Sequence, residues 1–421
     1  MTKILELLPG VTLRCHPDNR FKQGCLSFAM IRPMCAEEAA LNALVPAVLL
    51  RGTAKHPDLR AITWKLDDLY GASLGTQVRR VGDFQTTGLY CGFLEDRFAL
   101  SGDRILAPMM DFLQEVLLEP DLENGVFRTD YVESEKKNLI ATIESELNDK
   151  RAYAMGKMLR TMCKADSYGI PRLGDVESVA AITAEAAYSH YRKCLAESRI
   201  DIFYVGTAPA EQVAALLMPI FENIQRKYVA LPGQTPFQDA GGADLTEEMD
   251  VTQGKLCMGY VTPVTNRDED FVVMQVMNTI FGAGMTSKLF MNLREKMSLC
   301  YAIGSGYYGT KGIVTVSAGI DFDKEALTRQ EIGRQLEAIC QGDVTDEEMN
   351  AAKEALLSSL RGTHDSPGSI EGYYATAALS GMKLTPDAYM EAVRAVTREQ
   401  VAQAAKQLRL HTTYFLKGVN P

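Results

Sequence analysis

The sequence predicts an α+β protein made of two domains of about 200 residues each. A chain of 421 residues exceeds what one hydrophobic core ordinarily serves. Strand-like and helix-like runs follow one another in a similar order in the two halves. Between the halves, PGQTPFQDAGGADLTEE (232–248) has the glycine, proline and acidic residues of an exposed linker. We therefore expect domains over residues 1–230 and 249–421, joined by a linker over 231–248.

The elements of the first half follow from period-two and helical apolar patterns. The predicted strands are GVTLRCHP (10–17), GCLSFAMIRP (24–33) and TTGLYCGFL (86–94). The predicted helical runs are one that ends at Arg51, Gly52 and Thr53, a second over HPDLRAITWKLDDLYGASL (56–74) and a third near ILAPMMDFLQEVLL (105–118).

The second half repeats this order. Its predicted strands are GKLCMGYVTP (254–263) and GIVTVSAGI (312–320). Its predicted helices are DFVVMQVMNTIFG (270–282), which leads into KLFMNLREKMSLCYAIGS (288–305), and two more over about 323–341 and 346–361.

Two coincidences between the halves suggest an internal duplication. The strand at 24–33 parallels the strand at 254–263, and the helix ending in LYGAS (69–73) parallels the one ending in LCYA (299–302). A glycine turn, at Gly52 or Gly284, precedes the tyrosine of each helix end by fewer than twenty residues.

Composition excludes several classes of protein. A net charge of −10 argues against a nucleic-acid partner, because phosphate binding needs a basic face. No run of 18 apolar residues predicts a membrane-spanning helix, and MTKILELLPG predicts no signal peptide. The nine cysteines are scattered without a C-x-x-C, which is typical of reduced thiols. The five histidines are equally dispersed, so we expect no metal or other cofactor. Without a predicted signal peptide or membrane-spanning helix, we expect a cytoplasmic protein.

The segment LNALVPAVLLRGT (41–53) carries the strongest functional signal. It resembles the metal helix of the pitrilysin/insulinase family of zinc peptidases, the inverzincins, which reads H-x-x-E-H-x-x-[LF]-[KR]-G-T. With Arg51, Gly52 and Thr53 on K/R-G-T, the two histidines fall on Ala43 and Ala47, and the general-base glutamate on Pro46. A methyl group cannot bind zinc and a pyrrolidine ring cannot move a proton. The site is therefore degenerate.

The third zinc ligand of the family is a glutamate seven residues after another glutamate. The run ESEKKNLIATIESEL (133–147) matches that helix, with Glu135 at the first glutamate and Thr142 at the ligand. A shift of the alignment by one residue would bring Ala141 there instead. Neither H-x-x-E-H nor H-E-x-x-H occurs anywhere in the chain. The resemblance implies that both histidines, the base and the third ligand are absent together.

Pro46 predicts a change in the helix itself. A proline inside a helix removes one backbone hydrogen bond and clashes with the preceding turn, at about 3 kcal/mol. We expect the helix to kink or to begin near Ala43. Because positions 43 and 47 share one face, two methyl groups would line the former metal pocket, in an otherwise plain buried helix.

The resemblance extends over nearly the whole chain. The run DSYGIPRLG (166–174) is similar to H-P-Y-G-x-P-x-x-G, with Asp166 and Ser167 replacing His-Pro. The run SKLFMNLREKMSLCYAIGS (287–305) is similar to S-x-L-F-x-x-L-R-E-K-x-G-L-x-Y-x-V-x-S. The family implies that each half is a mostly antiparallel sheet backed by helices, and that the chain forms half of a clamshell.

Arg294 and Tyr301 are the candidate functional pair. The resemblance implies that they face the zinc across a closed chamber, hold the substrate carbonyl and stabilise the tetrahedral intermediate. A guanidinium and a phenol are good donors to a developing oxyanion. Seven residues span about two helical turns, so both side chains could point the same way. Alternatively, Arg294 pairs with a surface acid and Tyr301 packs in the core.

A clamp without a metal suggests half of a divided enzyme. The chain is most similar to the non-catalytic, YmfF-like subfamily, which the resemblance pairs with a homologous zinc-bearing subunit that has H-x-x-E-H. We expect a heterodimeric peptidase acting on peptides, with a weaker homodimer when the partner is absent. The competing hypothesis is a catalytically inert scaffold or peptide-binding protein of the same fold.

Overall fold

The computed structural model describes residues 2–146, 148–222 and 224–419. Leu147, the last residue of the run 133–147, lies outside the described residues. Within them, no helix is long and apolar enough to cross a membrane.

The strands in the described part of the chain are β1 (Lys3–Leu8), β2 (Val11–Pro17), β3 (Gln23–Pro33), β4 (Ser73–Val81), β5 (Phe84–Leu94), β6 (Leu122–Glu123), β7 (Val126–Phe127), β8 (Arg199–Gly206), β9 (Ala243–Met249), β10 (Gly254–Val261), β11 (Cys300–Tyr308), β12 (Ile313–Ile320) and β13 (Arg409–Gly418). The α-helices are α1 (Ala36–Leu49), α2 (Leu59–Asp68), α3 (Leu106–Leu118), α4 (Thr129–Ser145), α5 (Lys150–Met162), α6 (Val176–Ala180), α7 (Ala184–Glu197), α8 (Ala210–Leu217), α9 (Pro219–Glu222), α10 (Phe271–Phe281), α11 (Glu325–Cys340), α12 (Asp346–Gly362), α13 (Pro367–Ser380), α14 (Pro386–Ala395) and α15 (Arg398–Lys406). The predicted α+β class is confirmed.

The chain divides into two compact units. The first unit comprises residues 1–144, 170–233 and 364–376, and the second comprises 145–169, 234–363 and 377–421. Each unit therefore takes a segment from the opposite half of the sequence. Helical patterns alone do not say which sheet a helix covers, so this exchange could not be predicted.

The first unit is built on a six-stranded sheet in the order β1-β2-β8-β3-β5-β4. Neighbouring strands are antiparallel except β2 and β8, which are parallel. Alternate residues of β3, such as Leu26, Phe28 and Met30, are buried in the main core of this unit. The core continues into α1, α3 and α7, because their apolar faces need burial against the same face of the sheet.

The second unit has a five-stranded sheet in the order β11-β12-β10-β13-β9. Only β13 and β9 are parallel, and the other pairs are antiparallel. Read from the edge, β11-β12-β10-β13-β9 matches β4-β5-β3-β8-β2 strand by strand, including the position of the parallel pair. This agrees with the predicted duplication and confirms mostly antiparallel sheets backed by helices.

The exchanged segments each cover a sheet. In the second unit, α5 packs Ala154, Met158 and Met162 against the buried Cys257, Tyr414 and Leu416 of β10 and β13. In the first unit, Ile370 of α13 packs with Cys25, Phe203 and Val205 of β3 and β8.

The predicted linker is more ordered than its composition indicates. Residues 243–249 form β9, which pairs with β13, so this part of the linker prediction is wrong. Residues 224–242 have no regular secondary structure, but hydrogen bonds hold Thr235 and Gln238 within the second unit. Lys311 donates to the Thr235 carbonyl at 3.2 Å, and the Gln238 amide donates to Asp166 at 3.0 Å. Composition does not reveal such partners.

Candidate functional site

The helix α1 carries Ala43, Pro46 and Ala47. Of the two expected effects of Pro46, a start of the helix near Ala43 is wrong. It starts at Ala36 and continues through Pro46 to Leu49. Pro46 has no N–H to donate to the carbonyl of Asn42, four residues earlier. The Thr87 hydroxyl of β5 donates to that carbonyl at 2.6 Å instead. A side chain from the sheet thus replaces the hydrogen bond that the proline removes.

The Asn42 side chain fastens α1 to its neighbours. Its amide donates to Gln85 Oε1 of β5 at 2.9 Å, and its Oδ1 lies 2.8 Å from His190 Nε2 of α7. Burial lowers the pKa of His190 to about 4, although the nearby Glu38 opposes that shift. The imidazole is therefore neutral at pH 7 and donates its Nε2 proton to Asn42.

Asn42, His190 and Cys194 form a thiol–imidazole–amide group, because Cys194 Sγ also lies 3.3 Å from His190 Nε2. A nucleophilic site needs a base that can take the thiol proton and an opening for substrate. Here one nitrogen serves both partners, and all three residues are buried. Burial raises the pKa of Cys194 to about 12. The group therefore stabilises the core and is not a catalytic site.

The R-G-T turn after α1 requires glycine at position 52. A Cβ on Gly52 would lie 2.6 Å from the carbonyl oxygen of Pro57, so only glycine fits without displacement. The Thr53 hydroxyl donates to Glu115 of α3, and His56 Nδ1 lies 2.7 Å from the same carboxylate. His56 is engaged in this turn, which joins the end of α1 to α3.

Arg51 and Glu135 connect α1 to α4. Arg51 donates to Glu135 Oε1 at 3.2 Å, and its guanidinium lies 5.2 Å from the centre of the Tyr131 ring. Thr142 is exposed further along α4, and its hydroxyl donates to the Asn138 carbonyl at 2.9 Å. Glu135 thus holds α1, whereas Thr142, which the resemblance places at the ligand position, bonds to its own helix.

Residues able to bind a metal do not converge in the described part of the chain. No group of three or more His, Cys, Asp or Glu side chains could hold an ion there. Ala43 is buried and Ala47 is half-buried, and neither supplies a donor atom.

Arg294 lies on a seven-residue π-helical segment, Phe290–Lys296. Such segments are rare and frequently occur at functional sites. The guanidinium is stacked over the Phe290 ring, 4.6 Å from its centre, and the nearest carboxylate is that of Glu295 at 3.6 Å. Within the described residues, none accepts a hydrogen bond from Arg294.

Tyr301 lies on β11, so the expectation that one helix presents both side chains is wrong. The helical segment ends at Lys296, and Ser298 has a φ of 51°, which turns the chain into the strand. Tyr301 is 62% exposed and does not pack in the core. Its hydroxyl donates to Asp321 Oδ1 at 3.0 Å, and this bond raises the pKa of Tyr301 and keeps the phenol protonated.

Some buried polar groups could not be found from the sequence. Glu371 of α13 is almost fully buried and accepts from Ser27 at 2.7 Å and Arg79 at 2.8 Å. Asp166, which stands at a histidine position of the family motif, forms a buried ion pair with Lys311 at 3.0 Å. No local pattern marks these partners, since nearly 300 residues separate Glu371 from Arg79.

Comparison with known proteins shows which family the chain resembles. A family model described as peptidase M16 inactive domain matches residues 181–356. A protein of Bacillus subtilis strain 168, named probable inactive metalloprotease YmfF, is 29% identical and the match covers 97% of this chain and 96% of that protein. The structure of a conserved protein from Enterococcus faecalis V583 is 27% identical, with a TM-score of 0.94 over 100% of this chain and 99% of that one.

A more distant structure shares the fold. A peptidase M16 inactive domain from Pseudomonas fluorescens aligns over 99% of this chain and 98% of its own, with a TM-score of 0.82 at 18% identity. The matches confirm the resemblance that the degenerate H-x-x-E-H segment, the R-G-T turn and the L-R-E-K run indicate. The chain is therefore similar to inactive homologues of the pitrilysin/insulinase (M16) peptidase family.

Proposed function

We propose that this chain is the non-catalytic subunit of a heterodimeric zinc peptidase. It supplies the wall of a chamber and the Arg294/Tyr301 clamp to a homologous subunit that carries H-x-x-E-H. The substrate is a peptide or unfolded segment, and the complex acts in the cytoplasm. In the absence of the partner the chain forms a weaker homodimer.

The unoccupied donors of Arg294 carry this proposal. The guanidinium is held against Phe290 but donates to no acceptor among the described residues. A planar guanidinium offers several N–H donors in one plane, which suits a carbonyl oxygen that gains charge during the reaction. Its ion pair with the exposed Glu295 at 3.6 Å is easily exchanged, because water screens a surface pair.

Tyr301 can also donate a hydrogen bond to the substrate, but only after its present bond breaks. Its hydroxyl must leave Asp321 to donate to a substrate. Both side chains reach solvent, where water screens the interaction and replaces lost hydrogen bonds. Exchange of partners therefore costs little, and the raised pKa keeps the phenolic proton available for donation.

The test is reconstitution with an H-x-x-E-H homologue by co-expression and size-exclusion chromatography. Arg294→Ala and Tyr301→Phe should each lower turnover about 10²–10³-fold while the complex still forms, because each removes one oxyanion donor. Tyr70→Phe is the matched control. Tyr70 is also an exposed tyrosine that donates to an aspartate, Asp103 at 2.5 Å, but it lies in the first unit.

Two results would contradict the proposal. One is separate elution of the two chains under all conditions, which removes the heterodimer. The other is full turnover by both variants in an assembled complex.

The second candidate function is a scaffold or peptide-binding protein, and the bond between Tyr301 and Asp321 favours it. If Tyr301 serves only to bond Asp321 within the chain, the substitution Asp321→Ala leaves turnover of the complex unchanged. If Asp321 merely competes with substrate for the hydroxyl, the same substitution raises turnover by a few-fold. The two functions thus predict different responses to one variant.

A further inference from the structure

We propose that a cavity in the first unit binds a primary alkylammonium group. The cavity encloses about 430 Å³. Its lining includes Phe93, Glu95, Arg104, Leu106, Tyr204 and Gln212. It is formed where the end of β5 meets the start of α3 and the loop between β8 and α8. Nothing in the proposed peptidase role uses these residues.

The central group is the carboxylate of Glu95, which is only 5% exposed. Its Oε2 accepts from the Thr207 hydroxyl and, at 3.2 Å, from the Thr207 amide. Its Oε1 has only long contacts, at 3.3 Å from the same amide and 3.5 Å from the Tyr204 hydroxyl. One buried oxygen of this carboxylate therefore retains capacity for a strong donor.

No cation compensates this carboxylate in the described residues. Arg97 and Arg104 also line the cavity, but neither forms an ion pair with Glu95. Arg97 donates to the carbonyl of Asn19 at 2.5 Å, and Arg104 lies 3.6 Å from Asp96. A buried carboxylate without a counter-ion is costly, since burial disfavours charge unless a partner replaces the lost water. An entering cation would supply that partner.

Two glycines leave space for the carboxylate. A Cβ on Gly24 of β3 would lie 2.5 Å from Glu95 Oε1, and one on Gly206 of β8 would lie 2.3 Å from it. Both distances are shorter than real carbon–oxygen contacts. The neighbouring strands therefore lack side chains at the positions where any side chain would displace Glu95.

The remaining walls fit an alkyl stem. The Phe93 and Tyr204 rings stack with their centres 6.4 Å apart, and Leu106 is buried beside the cavity. Gln212 of α8 also lines the cavity and is exposed. A compact ammonium with three donors can bind Glu95 while its methylenes cover the apolar wall. Such a group comes from a free diamine or from a lysine side chain of a polypeptide.

Isothermal titration with the full chain tests the site and separates these two sources. Cadaverine represents the free diamine, and Nα-acetyl-lysine-N-methylamide represents the lysine of a polypeptide. We expect the true source to bind at least about tenfold more tightly than the other, and Glu95→Gln to weaken it by about tenfold or more. Glu123→Gln, at an exposed strand position of the same unit, should leave binding unchanged.

A second measurement uses the unaltered protein, so it tests the site even if the Glu95→Gln variant misfolds. n-Pentanol has the length of an alkylamine without its charge and should bind at least about tenfold more weakly than n-pentylamine. Equal affinity for the two overturns the proposal. So does the absence of binding by both amine probes, or undiminished binding by a folded Glu95→Gln variant; Glu95 then serves only to hold the Thr207 turn.

Discussion

The first and second units share one strand layout but treat their polar groups in opposite ways. In the first, polar groups near the positions that the resemblance gives to metal ligands bond within the unit: Thr87 donates to the Asn42 carbonyl, and Arg51 donates to Glu135. In the second, Arg294 and Tyr301 remain exposed, and the arginine donates to no described residue. The same arrangement of strands and helices therefore forms around polar groups that are bonded internally and around polar groups that are exposed.

This difference separates residues that stabilise the fold from residues that the fold does not need. The R-G-T turn and Glu135 keep α1 in place, so the framework alone explains them in a chain without metal ligands. Arg294 contributes no hydrogen bond to its own unit, so the framework does not explain its presence. Three experiments test this contrast, from the largest expected effect to the smallest.

The largest effect concerns zinc. The unaltered chain should hold no stoichiometric zinc, because the ligand positions carry no donor. Ala43→His, Pro46→Glu, Ala47→His and Thr142→Glu together should yield about one zinc per chain, since the turn and α4 that orient the site remain. Metal analysis after dialysis measures this. A folded fourfold variant that binds no zinc would mean that the framework has also changed. The control is a variant with Pro46→Glu and Thr142→Glu that keeps Ala43 and Ala47.

The next effect concerns acid stability of the first unit. With the pKa of His190 lowered from 6.5 to about 4 by burial, the unfolded chain binds a proton between these values that the folded chain does not. Stability should therefore fall by about 2–3 kcal/mol as the pH drops from 7 to 4.5. His190→Gln should flatten this dependence in urea unfolding. The same slope in both proteins would show that another group is responsible.

Glu38 makes stability depend on pH in a second range, which lies below that of His190. Burial opposes its ionisation, but hydrogen bonds from Arg32 and Lys193 prevail and lower its pKa to about 2. Its contribution is present above about pH 4.5 and is lost as the pH falls towards 2. His190→Gln should therefore leave the decline below pH 4 in place.

The smallest effect concerns Pro46. Thr87→Val should cost about 1–3 kcal/mol, because it leaves the Asn42 carbonyl buried without a donor. In a Pro46→Ala background the restored amide bonds that carbonyl, so the same substitution should cost less, a coupling that a double-mutant cycle measures. Thr63→Val, at an exposed hydroxyl that donates to a helix carbonyl, is the control. Equal costs in both backgrounds would exclude the compensation.

Much of the fold could be predicted because its signals are local. The alternation of β3, β5, β10 and β12 and the periodicity of α3 and α10 are visible in short windows. The missing zinc site follows from the identity of four residues, and Tyr301 and Arg294 from the motif around them. The repeat of one pattern in two halves needs no knowledge of distant contacts.

The sequence by itself determined the fold class, the duplication and the absence of zinc ligands. Only the tertiary structure decided that α5 and α13 cover the sheet of the opposite half, that residues 243–249 pair as a strand, and that α1 continues through Pro46. Each depends on partners far along the chain, such as Thr87 for Asn42 and β13 for β9. Propensity assigns the proline a cost, but it cannot reveal the hydroxyl that offsets it, because hydrogen bonds form between neighbours in space.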